Sequence, residues 1–354
     1  MSKKVCALIT ENYFHYLDHL APICLYLDIP LFVTEPDIEE AALAYYPNLK
    51  INYIELRDAI FYISKNYNSI ISCLTSGFFE TSFGFAEETL NKNLELIWIP
   101  HGNSDKGKQI HLHKALEDEK TALIYGQHMM DAIGKPIDGI RYIRIGNFRY
   151  ESYKKNIKFY RKIINDQIIS KMPKNKKFAL FAPTWKCDAG YSSLDLHGEL
   201  IDSLRSDWNL IIKIHPNIQT QQLIELEKMM YKYQNKKNIY FLTTFPLIYP
   251  ILDLVDIYIG DMSSIGYDFL TFNKPMFFFN PMNYEKNHPD LLLFQCGHEI
   301  KPKDYQNIFG FIEKKLLIDK KLKNKKQKMY DYTFEKNIDN EELKKKIFLL
   351  WKTN

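Results

Sequence analysis

The sequence contains no closely spaced cysteines. Its five, Cys6, Cys24, Cys73, Cys187 and Cys296, are far apart, without the spacing that marks zinc sites or redox dithiols. They are expected as reduced, mostly buried thiols. Long apolar runs are also missing, for stretches such as PLIYPILDLVDIYIG carry internal aspartates and none approaches the roughly 18 to 20 residues of a membrane-spanning helix. Only five apolar residues, Val5–Ile9, follow the first lysines, fewer than the core of a secretory signal. A cytoplasmic protein is expected. Neither sign of charge dominates, with 47 basic against 43 acidic side chains and a net charge of +4, which is too mild to indicate a nucleic-acid partner. No Gly-x-Gly-x-x-Gly or phosphate-loop lysine motif occurs, and this argues against a dehydrogenase or a kinase. His15 and His19 lie one helical turn apart and His111 and His113 two residues apart, yet neither pair has the third ligand or glutamate of a catalytic zinc site. The sequence calls for no metal and no cofactor.

What is present is a chain of 354 residues, 46% apolar and 25% charged, above the roughly 250 to 300 residues at which one hydrophobic core stops growing. Two domains follow. Short β-branched and aromatic runs alternate with segments of helical period, the pattern of a parallel sheet with crossover helices. Strands are predicted over residues 5–10, 30–34, 51–55, 69–74, 94–100, 122–126 and 142–146. Between the first two, Phe14, Leu17, Leu20 or Ala21, Cys24 and Leu27 share one helical face. A lysine-rich helical stretch after residue 147 reads as an interdomain connection. A second set of strands is predicted at 177–182, 209–214, 239–242, 255–260 and 276–280. The fold class expected is α/β, with two Rossmann-like domains facing across a cleft. Residues 1–150 are expected to form the first domain, residues 151–335 the second with its connector, and residues 336–354 a C-terminal helix that can pack back on the first domain.

The most informative segment is LVDIYIGDMSSIGYDFLTFNKPMFFFNP. A buried strand runs into Gly260, then come a polar elbow, a helix and another apolar strand. In such units ligands bind beyond the carboxyl ends of the strands, and a helix start offers N–H groups to a phosphate. Ser263 and Ser264 stand there, with Asp261 suited to orienting the loop or a ribose. The same pattern fits a capped helix, because Asp and Ser are favoured N-caps anywhere. In the first half, LIWIPHGNSDKG ends an apolar strand with His101 and Gly102. A histidine titrates near roughly 6.5 and can accept a proton at neutral pH; a histidine that merely satisfies a loop is the alternative. His15 sits where the first strand–helix loop of such a domain opens toward the cleft.

The elbow resembles the CDP-glycerol glycerophosphotransferases, which carry an Asp-aromatic-Ser-Ser turn, a further Asp, then Lys-Pro and an aromatic strand. The matching residues are Asp261, Ser263, Ser264, Asp268, Lys274 and Pro275, while Met262 replaces the usual aromatic. FAPTWK at Phe181–Lys186 is similar to the family's Ala-Pro-Thr-Trp segment, with Lys186 where arginine is usual; lysine keeps the charge and loses the bidentate fork. KIHP at Lys213–Pro216 matches Lys-x-His-Pro, and His101, Gly102 and Lys106 match His-Gly-x-x-x-Lys. The resemblance is strong over roughly residues 175–300 and around His101, and weak over the first 90.

It implies a glycosyltransferase-B type fold and transfer of glycerol phosphate, or a related polyol phosphate, from a CDP-linked donor to a cell-envelope glycan or lipid-linked acceptor, as in teichoic acid or capsule synthesis. His101 would be the general base and His215 a second catalytic group, structural pinning of a strand end being its alternative. Thr184, Lys186, Lys213, Asp261, Ser263 and Ser264 would hold the donor, with Gly102, Lys106, His15 and Asp268 as further cleft candidates. A nucleotide-sugar glycosyltransferase or epimerase of the same fold, and a non-catalytic nucleotide-binding protein, are the alternatives. Finally, KKLLIDKKLKNKKQK sets eight lysines, Lys314 to Lys328, against Asp319. This stretch is either a solvated helix face or a contact to an anionic membrane, the latter placing the protein on the inner face of the cell membrane.

Overall fold

A computed structural model of the chain describes residues 4–105, 108–185, 192–335 and 340–349; Lys106, Lys186 and Cys187 lie outside them. The chain divides into two compact units: Met1–Asn103 with Lys108–Lys155 and Asp331–Asn354, and Ser104–Gly107 with Asn156–Tyr330.

The first unit is built on seven strands, β1 (Val5–Ile9), β2 (Leu31–Val33), β3 (Ile51–Tyr53), β4 (Ser69–Ser72), β5 (Glu95–Trp98), β6 (Thr121–Ile124) and β7 (Arg141–Arg144). They form a parallel sheet in the order β3-β2-β1-β4-β5-β6-β7. All five residues of β1 are buried, as expected where helices cover both faces of a parallel sheet. The helix after β1, Leu17–Leu27, departs from the single apolar face expected of it. Asp18, His19, Pro22 and Ile23 are buried as well, and Phe14 belongs to a separate 3-10 turn, Phe14–Tyr16. The buried charge is compensated. Pro22 has no N–H to give to the carbonyl of Asp18 four residues earlier, and that carbonyl accepts from Arg149 Nε at 3.1 Å. The Arg149 guanidinium also pairs with the Asp18 carboxylate, which accepts from Tyr46 Oη at 2.9 Å.

The C-terminal segment closes this unit. Arg144 donates to Glu335 at 2.9 and 3.1 Å, and Tyr332 Oη donates to Asp131 at 2.6 Å. Gly126 leaves room for it, since a Cβ there would meet Thr333 O at 2.7 Å.

The second unit carries β8 (Lys177–Ala182), β9 (Trp208–Lys213), β10 (Ile239–Leu242), β11 (Ile257–Gly260), β12 (Met276–Phe279) and β13 (His298–Ile300). This sheet is also parallel, ordered β10-β9-β8-β11-β12-β13. Alternate residues, Phe181, Ile212, Ile259 and Phe279 among them, form one core layer. β13 is an edge strand that the sequence reading missed, because its three residues, His-Glu-Ile, carry no β-branched or aromatic run.

In both sheets the strand order reverses between the first strand and its later neighbour, β1 beside β4 and β8 beside β11. Ligands of open parallel sheets bind beyond the carboxyl ends of the strands at such a switch point. Cys6, Cys24, Cys73 and Cys296 are free and buried. The lysine-rich stretch is not one uniform face. Lys326 is fully buried and donates to Asp319 at 2.6 Å and to Lys274 O at 2.9 Å.

Candidate functional site

In the second unit, three adjacent strands deliver the expected donor-site residues to one edge. β9 ends at Lys213, followed by His215; β8 ends at Ala182, followed by Thr184 and Trp185; β11 ends at Gly260, followed by the elbow. Asp261 is buried and holds this edge together. Its Oδ1 accepts from Thr184 N at 2.9 Å, and its Oδ2 from Ser193 N and Ser193 Oγ, each at 2.8 Å. The carboxylate is therefore engaged in fixing two loops. Gly260 is required by close approach, since a Cβ there would lie 2.2 Å from Tyr258 Oη.

Ser263 is buried and Ser264 half-buried, and their carbonyls accept from Gly266 N and Tyr267 N at 3.1 and 3.0 Å. Neither hydroxyl caps the following helix, Ile265–Phe269. Met262, where an aromatic was usual, is buried. His215 is the N-cap of the helix Pro216–Gln221, its Nδ1 accepting from Asn217 N at 3.2 Å, and its ring lies 6.3 Å from that of Trp185. An accepting Nδ1 leaves Nε2 to carry the proton in the neutral ring. Lys213 is half-buried at the end of β9.

Other matched residues serve the scaffold. Asp268 accepts from Tyr249 Oη at 3.0 Å. Lys274 Nζ donates to Asp253 O and Val255 O at 2.7 and 2.8 Å, and burial lowers its pKa. The sequence reading overlooked Asp105, which is buried in the second unit and accepts from Tyr267 Oη at 2.5 Å and from Leu293 N at 3.0 Å. Its place in the His-Gly-x-x-x-Lys spacing was the available signal.

In the first unit, His101 stands three residues past β5, before Gly102 with φ of 141°, a backbone geometry that favours glycine. Its ring lies 5.1 Å from Tyr16, 6.0 Å from His15 and 6.4 Å from His19. The structure thus brings His15 beside His101, with Tyr16 and His19 as unforeseen neighbours. The i, i+4 spacing of His15 and His19 was legible but was weighed only as a zinc pair. Among the described residues, no group of three or more His, Cys, Asp or Glu side chains could hold a metal ion.

Desolvation lowers the His101 imidazole from 6.5 to about 4. His19 is buried and pushed well below 6.5, by desolvation first and then by Arg149, His101 and His15. Its Nδ1 lies 3.1 Å from Tyr125 Oη, which donates to Pro100 O at 3.2 Å, next to His101.

Two parallel-sheet units with this pair of strand-end constellations define a two-domain α/β fold of the glycosyltransferase-B type. Solved structures share it. The wall teichoic acid polymerase TagF, soaked with CDPG, aligns with a TM-score of 0.65 at 16% identity, over 98% of this chain and 87% of that one. HepE of Anabaena, in complex with UDP and glucose, aligns with a TM-score of 0.58 at 10% identity, over 98% and 99%. Residues 141–293 match the family described as CDP-Glycerol:Poly(glycerophosphate) glycerophosphotransferase. This segment contains Thr184, Lys213, His215 and the elbow, but not His101.

Two curated relatives are similar. The teichoic acid poly(ribitol-phosphate) polymerase of Bacillus spizizenii is 29% identical over 125 residues, 33% of this chain and 19% of that protein. The teichoic acid poly(glycerol phosphate) polymerase of Bacillus subtilis is 31% identical over 119 residues, 31% of this chain and 15% of that protein. The matched stretch therefore covers less than a fifth of either relative.

Proposed function

We propose that the chain is a transferase that moves glycerol phosphate, or a related polyol phosphate, from a CDP-linked donor to a hydroxyl of a cell-envelope glycan or lipid-linked acceptor. The observation that carries this reading is the convergence of Thr184, Lys213, His215 and the Asp261–Ser264 elbow at the ends of three neighbouring strands, within the segment that matches the glycerophosphotransferase family. In the proposed step the acceptor oxygen attacks the β-phosphorus of the donor, the bond from that phosphorus to the CMP oxygen breaks, and CMP leaves. The hydroxyl proton passes to His101. A lowered pKa keeps this ring neutral at pH 7, the form that can accept a proton.

Phosphoryl transfer depends mainly on positioning and on charge stabilisation around the phosphate oxygens. His215, donating from Nε2, and Lys213 serve that need, as do Lys186 and the two serines. Asp261 acts one step back, by holding Thr184 and Ser193 in place. The protein works at the inner face of the cell membrane, where CDP-linked donors and lipid-linked acceptors meet.

A nucleotide-sugar reaction is the second reading, favoured by the shared fold of HepE with UDP and glucose. Incubating the chain with CDP-glycerol, CDP-ribitol and UDP-sugars, each with a glycan acceptor, separates the two. Release of CMP with polyol phosphate added to the acceptor supports the first reading. Release of UDP alone overturns it.

A further inference from the structure

In the first unit, the hydroxyl of Tyr125 stands against the chain just before His101. Tyr125 follows β6 directly and is buried. Its ring stacks on Phe148 at 6.1 Å and meets Phe334 of the C-terminal segment edge-on at 5.6 Å, contacts that a phenyl ring would make equally well. The hydroxyl has a different use. It donates to the carbonyl of Pro100 at 3.2 Å and lies 3.1 Å from His19 Nδ1. A phenol has one hydrogen to give. With that hydrogen on Pro100 O, His19 Nδ1 is the donor to Tyr125 Oη, and the His19 ring, which burial keeps neutral at pH 7, carries its single proton there.

The Pro100 carbonyl belongs to the same planar peptide unit as the His101 N–H, so a bond to that oxygen fixes the plane from which the His101 side chain departs. The chain is held on the far side as well. Past the turn at Gly102, with φ of 141°, Asn103 is buried and its Oδ1 lies 3.4 Å from His128 Nδ1. His128 belongs to the helix Gln127–Ile133, which begins two residues after Tyr125. The turn from β6 into this helix therefore grips the chain before and after His101.

We propose that Tyr125 is a positioning residue for the transfer reaction, its hydroxyl, oriented by His19, holding the Pro100–His101 peptide so that the His101 imidazole meets the acceptor hydroxyl in one orientation. This rests on His101 as the general base. Tyr125 touches no substrate and takes no proton; it acts through the backbone of His101. The effect of such a residue falls on turnover, because a displacement of about 1 Å at a reacting group costs on the order of 100-fold in rate.

The test is Tyr125→Phe in the full chain, which keeps the ring packing and removes the hydroxyl. With CDP-glycerol and a glycan acceptor, kcat for CMP release should fall roughly 10 to 100-fold, while the dissociation constant for CDP-glycerol stays at the wild-type value. In the His101→Ala background the same substitution should cost nothing further, since residues that act as a unit are not additive. His19→Leu, which fills the buried space without a donor, should lower kcat in the same direction and leaves the Tyr125 ring untouched. Thermal midpoints are measured alongside, because a merely structural tyrosine would lower the midpoint and leave kcat per folded molecule unchanged. That result overturns the proposal, as does an equal loss in the wild-type and His101→Ala backgrounds. If His101→Ala is slow and both Tyr125→Phe and His19→Leu are not, this proposal alone fails; if His101→Ala transfers like the wild type, the base assignment fails and takes the proposal with it.

Discussion

At His101 the ring packs among His15, Tyr16 and His19, and the first prediction concerns its role. His101→Ala should lower turnover roughly 10² to 10⁴-fold while leaving CDP-glycerol affinity near the wild-type value, because a general base serves the acceptor hydroxyl. Its acid limb in kcat/KM should lie below pH 6.5, given the downward shift of the ring. Near wild-type transfer by the folded variant would remove His101 from the mechanism. His19 makes a separate prediction, for stability. Its folded pKa is depressed, so above about pH 6.5 the folded and unfolded chains are both neutral there and the contribution is whole. As pH falls below that value the unfolded chain binds a proton that the folded chain resists, and stability drops by at most about 1.4 kcal/mol per pH unit. His19→Gln, which keeps an amide for Tyr125, should flatten that slope in urea unfolding between pH 7.5 and 5; an unchanged slope would show that His19 does not titrate in this way. The candidate residues themselves could be read from short motifs. Their neighbours could not, since Tyr16 lies in a 3-10 turn and His19 in a helix that the pattern presented as a single apolar face.

The Asp261 turn shows how one side chain joins elements. Three of its bonds reach residues 68 and 77 positions away in the chain, tying the loop after β8 and the segment at Ser193 to the end of β11. Asp261→Asn keeps the shape but replaces one acceptor oxygen by an amide that cannot accept. It should destabilise the second unit by roughly 1.5 to 3 kcal/mol, the worth of a hydrogen bond to a charged group, and should weaken CDP binding through the loosened Thr184 loop. Urea midpoints and calorimetric titration with CDP measure the two effects; full stability with weak CDP binding would make Asp261 a direct ligand instead. At this scale the twelve strands expected from apolar runs all form, with ends trimmed by one or two residues in most cases. β13 was invisible because an edge strand of three residues is defined by its pairing with β12, not by its own composition.

For the whole molecule, two units with separate cores lead to a prediction about where a nucleotide is felt. Hydrogen exchange with CDP present should slow at Thr184–Trp185, at Lys213–His215 and through the elbow, and should leave the amides of residues 14–19 and 98–103 unchanged. Protection confined to the first unit would reverse the assignment of the donor side. The alternation of apolar and helical segments determined by itself that the fold is α/β with two parallel sheets, because buried parallel strands must be short, apolar and separated by helices long enough to cross back. The motifs His-Gly, Lys-x-His-Pro and Asp-x-Ser-Ser likewise stood in the sequence, each at the end of a strand. Only the tertiary structure decided which of these residues are committed to contacts within the scaffold. Strand order sets residues 184, 213 and 261 side by side, commits Asp261, Asp268 and Lys274 to internal hydrogen bonds, and buries Lys326 amid a lysine-rich stretch. Those outcomes depend on partners tens of residues away, and no local pattern of charge or hydrophobicity encodes a partner's position.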